Sequence, residues 1–213
     1  MEKLNIVPLS PCQPLTFWLV VRPVLDFSMA HIIGTSLLHS KLDYCNSLYY
    51  GLPKTQLTRL QHIQNSLARA VAAPRSSDPD QILKSLHWIK VQERIEYNII
   101  STSYKVLQSS SPHYLRDIIA IQPSRSTQLS SLVTLLHPQA QSSLKITNRS
   151  FWYAAPHLWN KLPPSLRVPC QLATSEYSPL PGSDSAPKSV VGVSHRVFHS
   201  RLKTHLFSRS FPP

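Results

Sequence analysis

Residues 54–71 read KTQLTRLQHIQNSLARAV. Leu57, Leu60, Ile63 or Gln64, Leu67 and Val71 recur every three or four positions, while Arg59, Gln61, Asn65 and Arg69 fall on the other side. That spacing predicts an amphipathic α-helix, the clearest in the chain. Its flanks agree. Gly51 stands where a glycine past a helix end belongs, and Pro53 opens the next helix from its first turn. Pro74 stops the run.

Working outward, helical periodicity continues on both sides. Over 24–50, Ile33, Leu37, Lys41, Tyr44 and Leu48 step by three or four, which predicts one helix. Asp78 is an expected N-cap, with Pro79 at the first helical position and Asp80 in the first turn. A short helix follows over 81–86, and His87-Trp88 breaks out of it. Residues 91–108 read as a further helix through Val91, Ile95, Ile99 and Val106, with Glu93 and Glu96 on a solvated face among Lys90, Arg94 and Lys105. Pro112 starts a last short helix over 113–120.

After Pro123 the pattern changes. Residues 129–136 suggest a short strand, pairing with 143–147. Residues 148–167 are dense in aromatics (Phe151, Trp152, Tyr153, Trp159) and interrupted by Pro156, Pro163 and Pro164. This block reads as an irregular anchor against a helical core, with the Trp N–H groups satisfied by backbone carbonyls. Residues 168–194 hold 4 Pro, 6 Ser and 2 Gly, the composition of a disordered linker. Residues 195–210 form a basic amphipathic helix, with Val197, Phe198, Leu202 and Leu206 on one side. The expected fold is mainly α. A small helical bundle at 22–122 is followed by an irregular segment at 123–167, a linker at 168–194 and a basic helix and tail at 195–213.

Composition narrows the chemistry. The 213 residues include 19 prolines and only 4 glycines, which never cluster. No GxGxxG turn or GxxxxGK[ST] loop can be built, because both need adjacent residues free to adopt unusual φ. There is no GxSxG and no HExxH. His195, His199 and His205 include one i, i+4 pair, but Arg196, Val197 and Phe198 lie between its members, so no metal site is expected. Cys12, Cys45 and Cys170 are too few and too scattered for a disulfide framework or structural zinc. No cofactor and no catalytic residue are expected. The apolar run at 15–21 is too short to cross a bilayer. The chain is therefore expected to be intracellular, nuclear or cytoplasmic, neither secreted nor membrane-bound.

The formal charge is +12, from 22 Lys and Arg against 10 Asp and Glu. A polyanion is the natural partner, since each cation set against a phosphate releases a counterion. Lys54, Arg59, Arg69, Arg75, Lys84, Lys90 and Arg94 are the candidate contacts, able to lie along a nucleic-acid backbone and read its shape. Trp88, Phe151 and Trp159 are the candidate structural anchors.

Several blocks carry a family resemblance: HSKLDYCNSLYYGLP at 39–53, LQHIQNSLAR at 60–69, LKSLHW at 83–88, Arg94-Ile95, YKVL at 104–107, PHYL at 112–115, FWYAAPHLWNKLP at 151–163 and HSRLKTHLF at 199–207. In order and spacing they resemble the C-terminal region of reverse transcriptases of non-LTR retrotransposons, of the jockey and chicken-repeat-like long interspersed type. The likeness runs from Arg22 to Pro213, and residues 1–21 lie outside it. It implies the helical thumb and tail that hold a template–primer duplex. The family's Tyr/Phe-Ala-Asp-Asp palm motif has no counterpart, so the resemblance implies no polymerase activity: two carboxylates are needed to hold the catalytic metals. It also implies, at most, weak affinity for RNA or an RNA–DNA duplex in a non-catalytic relic. The rival expectation is a helical protein–protein interaction module that uses residues 195–210 and the uncovered thumb face.

Overall fold

The computed structural model describes residues 24–72, 78–109, 113–122, 132–138, 149–169 and 191–212. Seven α-helices are seen among them: α1 (Phe27–Leu38), α2 (Lys54–Ala72), α3 (Pro79–Ser85), α4 (Val91–Ser109), α5 (His113–Arg116), α6 (Phe151–Asn160) and α7 (His195–Ser210). The protein is mainly α, and β structure among the described residues is confined to two isolated antiparallel bridges. The chain divides into two compact units. One is Met1–Tyr44 with Lys54–Val91, and the other is Cys45–Pro53 with Gln92–Pro213. The division falls at Val91, inside the 22–122 stretch.

In the first unit α1 packs on α2 and α2 on α3. Asp26 caps α1, its Oδ1 accepting from the Met29 amide at 2.7 Å. Ala30, Gly34 and Leu38, each four residues apart, form the buried edge of α1. The single helix expected over 24–50 is instead three pieces. α1 ends at Leu38, a π-turn covers His39–Asp43 and a 3₁₀ turn covers Asn46–Tyr49. The break falls at Cys45, whose φ of 52° is left-handed and cannot continue a right-handed helix. Gly51 follows with φ 71°, the role its residue type suggests.

Gly34 is required for a different reason. A Cβ there would overlap Cγ2 of Val71 and sit 3.7 Å from Cη2 of Trp88. Val71 is β-branched in a helix and has one strongly preferred rotamer, so it cannot swing aside. Gly34→Ala should therefore destabilise by about 1–2 kcal/mol despite alanine's better helix propensity. Val71→Ala in the same chain should recover much of that loss, as a double-mutant cycle in urea would measure.

α3 follows its sequence cues. The Asp78 side chain accepts from the Asp80 amide at 3.0 Å, and Pro79 occupies the first turn. At the other end His87 takes φ 55°, His87 N donates to Lys84 O at 3.2 Å, and Trp88 N donates to Leu83 O at 2.9 Å. These two bonds form a Schellman closure, with buried Leu83 and Trp88 at the positions where its apolar contact belongs. That is how His87-Trp88 leaves the helix. Gln64, fully buried on α2, donates to Ile89 O at 2.8 Å, and Gln61 Oε1 accepts from the Val91 amide at 2.9 Å.

In the second unit α4, α6 and α7 contribute one ring each to a stack. Trp159 and Phe198 have centroids 5.9 Å apart at 18°, and Phe198 and Tyr104 are 4.0 Å apart at 15°. Each of the three is at most 1% exposed. Polar groups around the stack are satisfied. Trp159 Nε1 donates to Val133 O at 2.9 Å, and Tyr104 Oη to Val193 O at 2.6 Å. Asn160 imitates a neighbouring strand, its Oδ1 accepting from Leu135 N at 3.0 Å and its Nδ2 donating to Leu135 O at 2.8 Å.

Two expectations are corrected here. Residues 151–160 are an α-helix rather than an irregular segment, with Pro156 inside it and buried. Leu135 forms its antiparallel bridge with Ile121, through Gln122 N to Thr134 O at 2.9 Å and Leu136 N to Ala120 O at 2.8 Å. The expected partner at 143–147 lies outside the described residues. The α5 helix stops at Arg116, and a turn with Ile119 N donating to Arg116 O at 3.1 Å leads from it to Ile121. Of the expected linker, 170–190 lie outside the described residues, and its two ends are joined by a bridge between Pro169 and Val191.

The solvated face expected for Glu93 and Glu96 is also corrected. Glu96 is 5% exposed and pairs with Arg209 of α7, Nη1 to Oε2 at 2.7 Å. Burial pushes the Glu93 carboxyl above its ordinary range and repulsion from Glu96 adds to this, partly offset by its own backbone amide, then by Arg209 and Ser210. A folded pKa above the unfolded one adds stability that is complete below the unfolded value and lost as pH rises through the folded one. Glu93→Gln should accordingly raise the melting temperature at neutral pH and leave it unchanged below about pH 4. A thermal-melt series over pH tests this, and equal effects at both ends would contradict it.

Candidate nucleic-acid interface

The α2 helix is amphipathic because its apolar residues fall on one stripe. Gln64, Leu67, Ala68 and Val71 are buried there. At 100° per residue, Arg59, His62, Ser66 and Arg69 fall opposite this stripe, and all four are exposed. Lys54 is exposed at the helix start. The helix has no carboxylate along its 19 residues. Arg59 and Arg69 are ten residues apart, which spaces them about 15 Å along the axis. The result is a cationic, hydroxyl-bearing ridge with no internal acid to neutralise it.

The seven candidate cations do not all join this ridge. Arg59 and Arg69 do, Lys54 is exposed at the start of the same helix but to one side of the ridge, and Lys84 is exposed on α3 of the same unit. Lys90 is held by Asp80, Nζ to Oδ2 at 2.7 Å. Arg94 is 8% exposed and belongs to the second unit, so it presents no guanidinium to a phosphate. Arg75 lies outside the described residues. Gln61 and Asn65, expected beside the arginines, instead bond each other at 2.8 Å, and Gln61 turns to the Val91 amide. His62 and Ser66 belong to the ridge and were not among the expected contacts. The missing signal was the absence of acid from the whole helix.

Of the anchors, Trp159 is fully buried with its N–H satisfied. Trp88 is 4% exposed and stacks on His31 at 6.4 Å, but its Nε1 has no hydrogen-bond partner among the described residues. Phe151 is only partly buried, and neighbouring Trp152 is 46% exposed.

The three histidines of α7 do not converge. His195 and His199 rings lie 4.2 Å apart, but His199 Nδ1 is 3.0 Å from Tyr97 Oη. Burial first, then His195 and Lys203, lowers the His199 pKa. Among the described residues no group of three or more His, Cys, Asp or Glu side chains is placed to hold a metal ion. No described helix is long and apolar enough to cross a membrane. Cys45 is an exposed free thiol. No family model, no curated protein and no solved structure matches this chain.

Proposed function

We propose that this chain is a non-catalytic remnant of a non-LTR retrotransposon reverse transcriptase, retaining weak, shape-based contact with RNA or an RNA–DNA duplex. The sequence blocks quoted above suggest the origin. The observation that carries the binding reading is the acid-free ridge of α2, with Arg59 and Arg69 exposed on it and Lys54 exposed at the helix start. Such a ridge sets cations along a run of phosphates and makes no demand on base identity.

The test is retention on an RNA–DNA hybrid column eluted with salt. Affinity should fall steeply as salt rises, and Arg59→Glu/Arg69→Glu should remove about two counterions from the slope. Flat salt dependence would refute the reading.

The second reading, a helical protein–protein interaction module, has its own observation. α1 contains no charged Asp, Glu, Lys or Arg, and Phe27, Met29 and Ile32 are 57%, 48% and 56% exposed. On that reading Ile32→Asp should abolish capture of a protein partner, and the arginine reversals should not.

A further inference from the structure

We propose that α7, in the second unit, is a further nucleic-acid-backbone contact. α7 carries Arg196, Arg201, Lys203 and Arg209 and no carboxylate. Arg209 is committed to Glu96. Arg196, Arg201 and Lys203 are exposed and form no ion pair among the described residues.

Their placement follows from the buried stripe of Phe198, Leu202, Leu206 and Ser210, which recurs every four residues. Opposite that stripe runs a low crest of exposed hydroxyls, Ser200, Thr204 and Ser208. Thr204 Oγ1 donates to Ser200 O and Ser208 Oγ to Thr204 O, both at 3.1 Å, so these side chains lie close to the helix. Arg196 continues this four-residue row at its N-terminal end, and Lys203 and Arg201 flank the row on either side. Lys203 is steadied by the Tyr97 ring, its Nζ 5.9 Å from the centroid.

A polar helix face with cations along and beside it fits a phosphodiester backbone, whose charges repeat along a line. The described part of this unit supplies little competing negative charge: Glu93 and Glu96 are turned inward around Arg209, which leaves Asp117 as the exposed acid. This inference rests on the preceding reading for the identity of the polyanion, not for the site.

The experiment uses the full chain and a fluorescein-labelled RNA–DNA hybrid, followed by anisotropy across a salt series. Arg196→Ala/Arg201→Ala/Lys203→Ala should lower the slope of log Kobs against log salt by about 2–3. Arg196→Lys/Arg201→Lys should keep the slope, because charge is retained. An unchanged slope in the alanine variant overturns the proposal, as does an equal loss in the lysine variant. If the α7 variant loses slope and Arg59→Glu/Arg69→Glu does not, α7 stands and the α2 ridge fails; the reverse pattern sinks α7 alone. Phosphatidylserine vesicles serve as the other polyanion. Binding to them that depends on α7, with hybrid binding indifferent to it, overturns the proposal in favour of a lipid surface.

Discussion

Trp159→Ala should cost the second unit about 3–5 kcal/mol, close to the whole stability of a small domain. The residue is fully buried, forms one end of the Trp159–Phe198–Tyr104 stack and satisfies the Val133 carbonyl. Truncation removes the ring, leaves a cavity between α6 and α7, and orphans a buried acceptor, which itself costs about 1–3 kcal/mol. Urea unfolding followed by far-UV circular dichroism is the measurement. Trp159→Phe separates the contributions in part, since it keeps a six-membered ring in the stack while losing the N–H and the pyrrole half of the indole. Its loss should be less than half that of alanine. Equal losses would mean that the N–H and the pyrrole half of the indole, not the stacked six-membered ring, hold α6 in place.

The second large effect is at Arg209. Arg209→Leu should destabilise by about 3 kcal/mol, because it leaves the Glu96 carboxylate buried without its cation. The Glu96 side chain is 7% exposed, against 46% for Arg209, so solvent moderates the loss toward the lower end of what breaking a buried pair costs. Adding Glu96→Gln should restore most of the stability, since the penalty lies in the unpaired charge and not in the missing bridge. Thermal melts of the two single variants and the double would show this as coupling well beyond additivity. Additive losses would mean that the pair is only a surface contact.

The Glu96–Arg209 pair also shows where sequence reasoning reached its limit. The partners are 113 residues apart, and nothing local distinguishes Glu96 from the solvated acids its spacing suggests. The same holds for Arg94, whose burial removes it from the interface. By contrast α2, α3, α4 and α7 were legible because each carries its own instructions: a 3.6-residue stripe, an Asp-Pro start, a proline or glycine at an end. α1 is shorter than its apolar spacing predicts, because a π-turn and a left-handed cysteine leave no mark in that spacing. Pro156 misled in the other direction. It reads as a breaker, yet tertiary burial of Ala154, Ala155, Leu158 and Trp159 keeps the backbone helical around it. The cationic ridge was only half legible. Arg59 and Arg69 follow from the helical wheel, but that Gln61 would turn inward to Val91 does not.

Pro156 has a kinetic consequence. A ten-residue helix has few internal amide bonds, and a proline at its sixth position removes the one that would reach the Trp152 carbonyl. Such a segment cannot persist as an isolated helix in water. The α6 turns exist only while its ring and methyl groups are docked, so there is no fraying route that opens α6 and spares the rest of its unit. The amide protons of Leu158 and Trp159 should then exchange with deuterium only through opening of the whole second unit, at one shared rate.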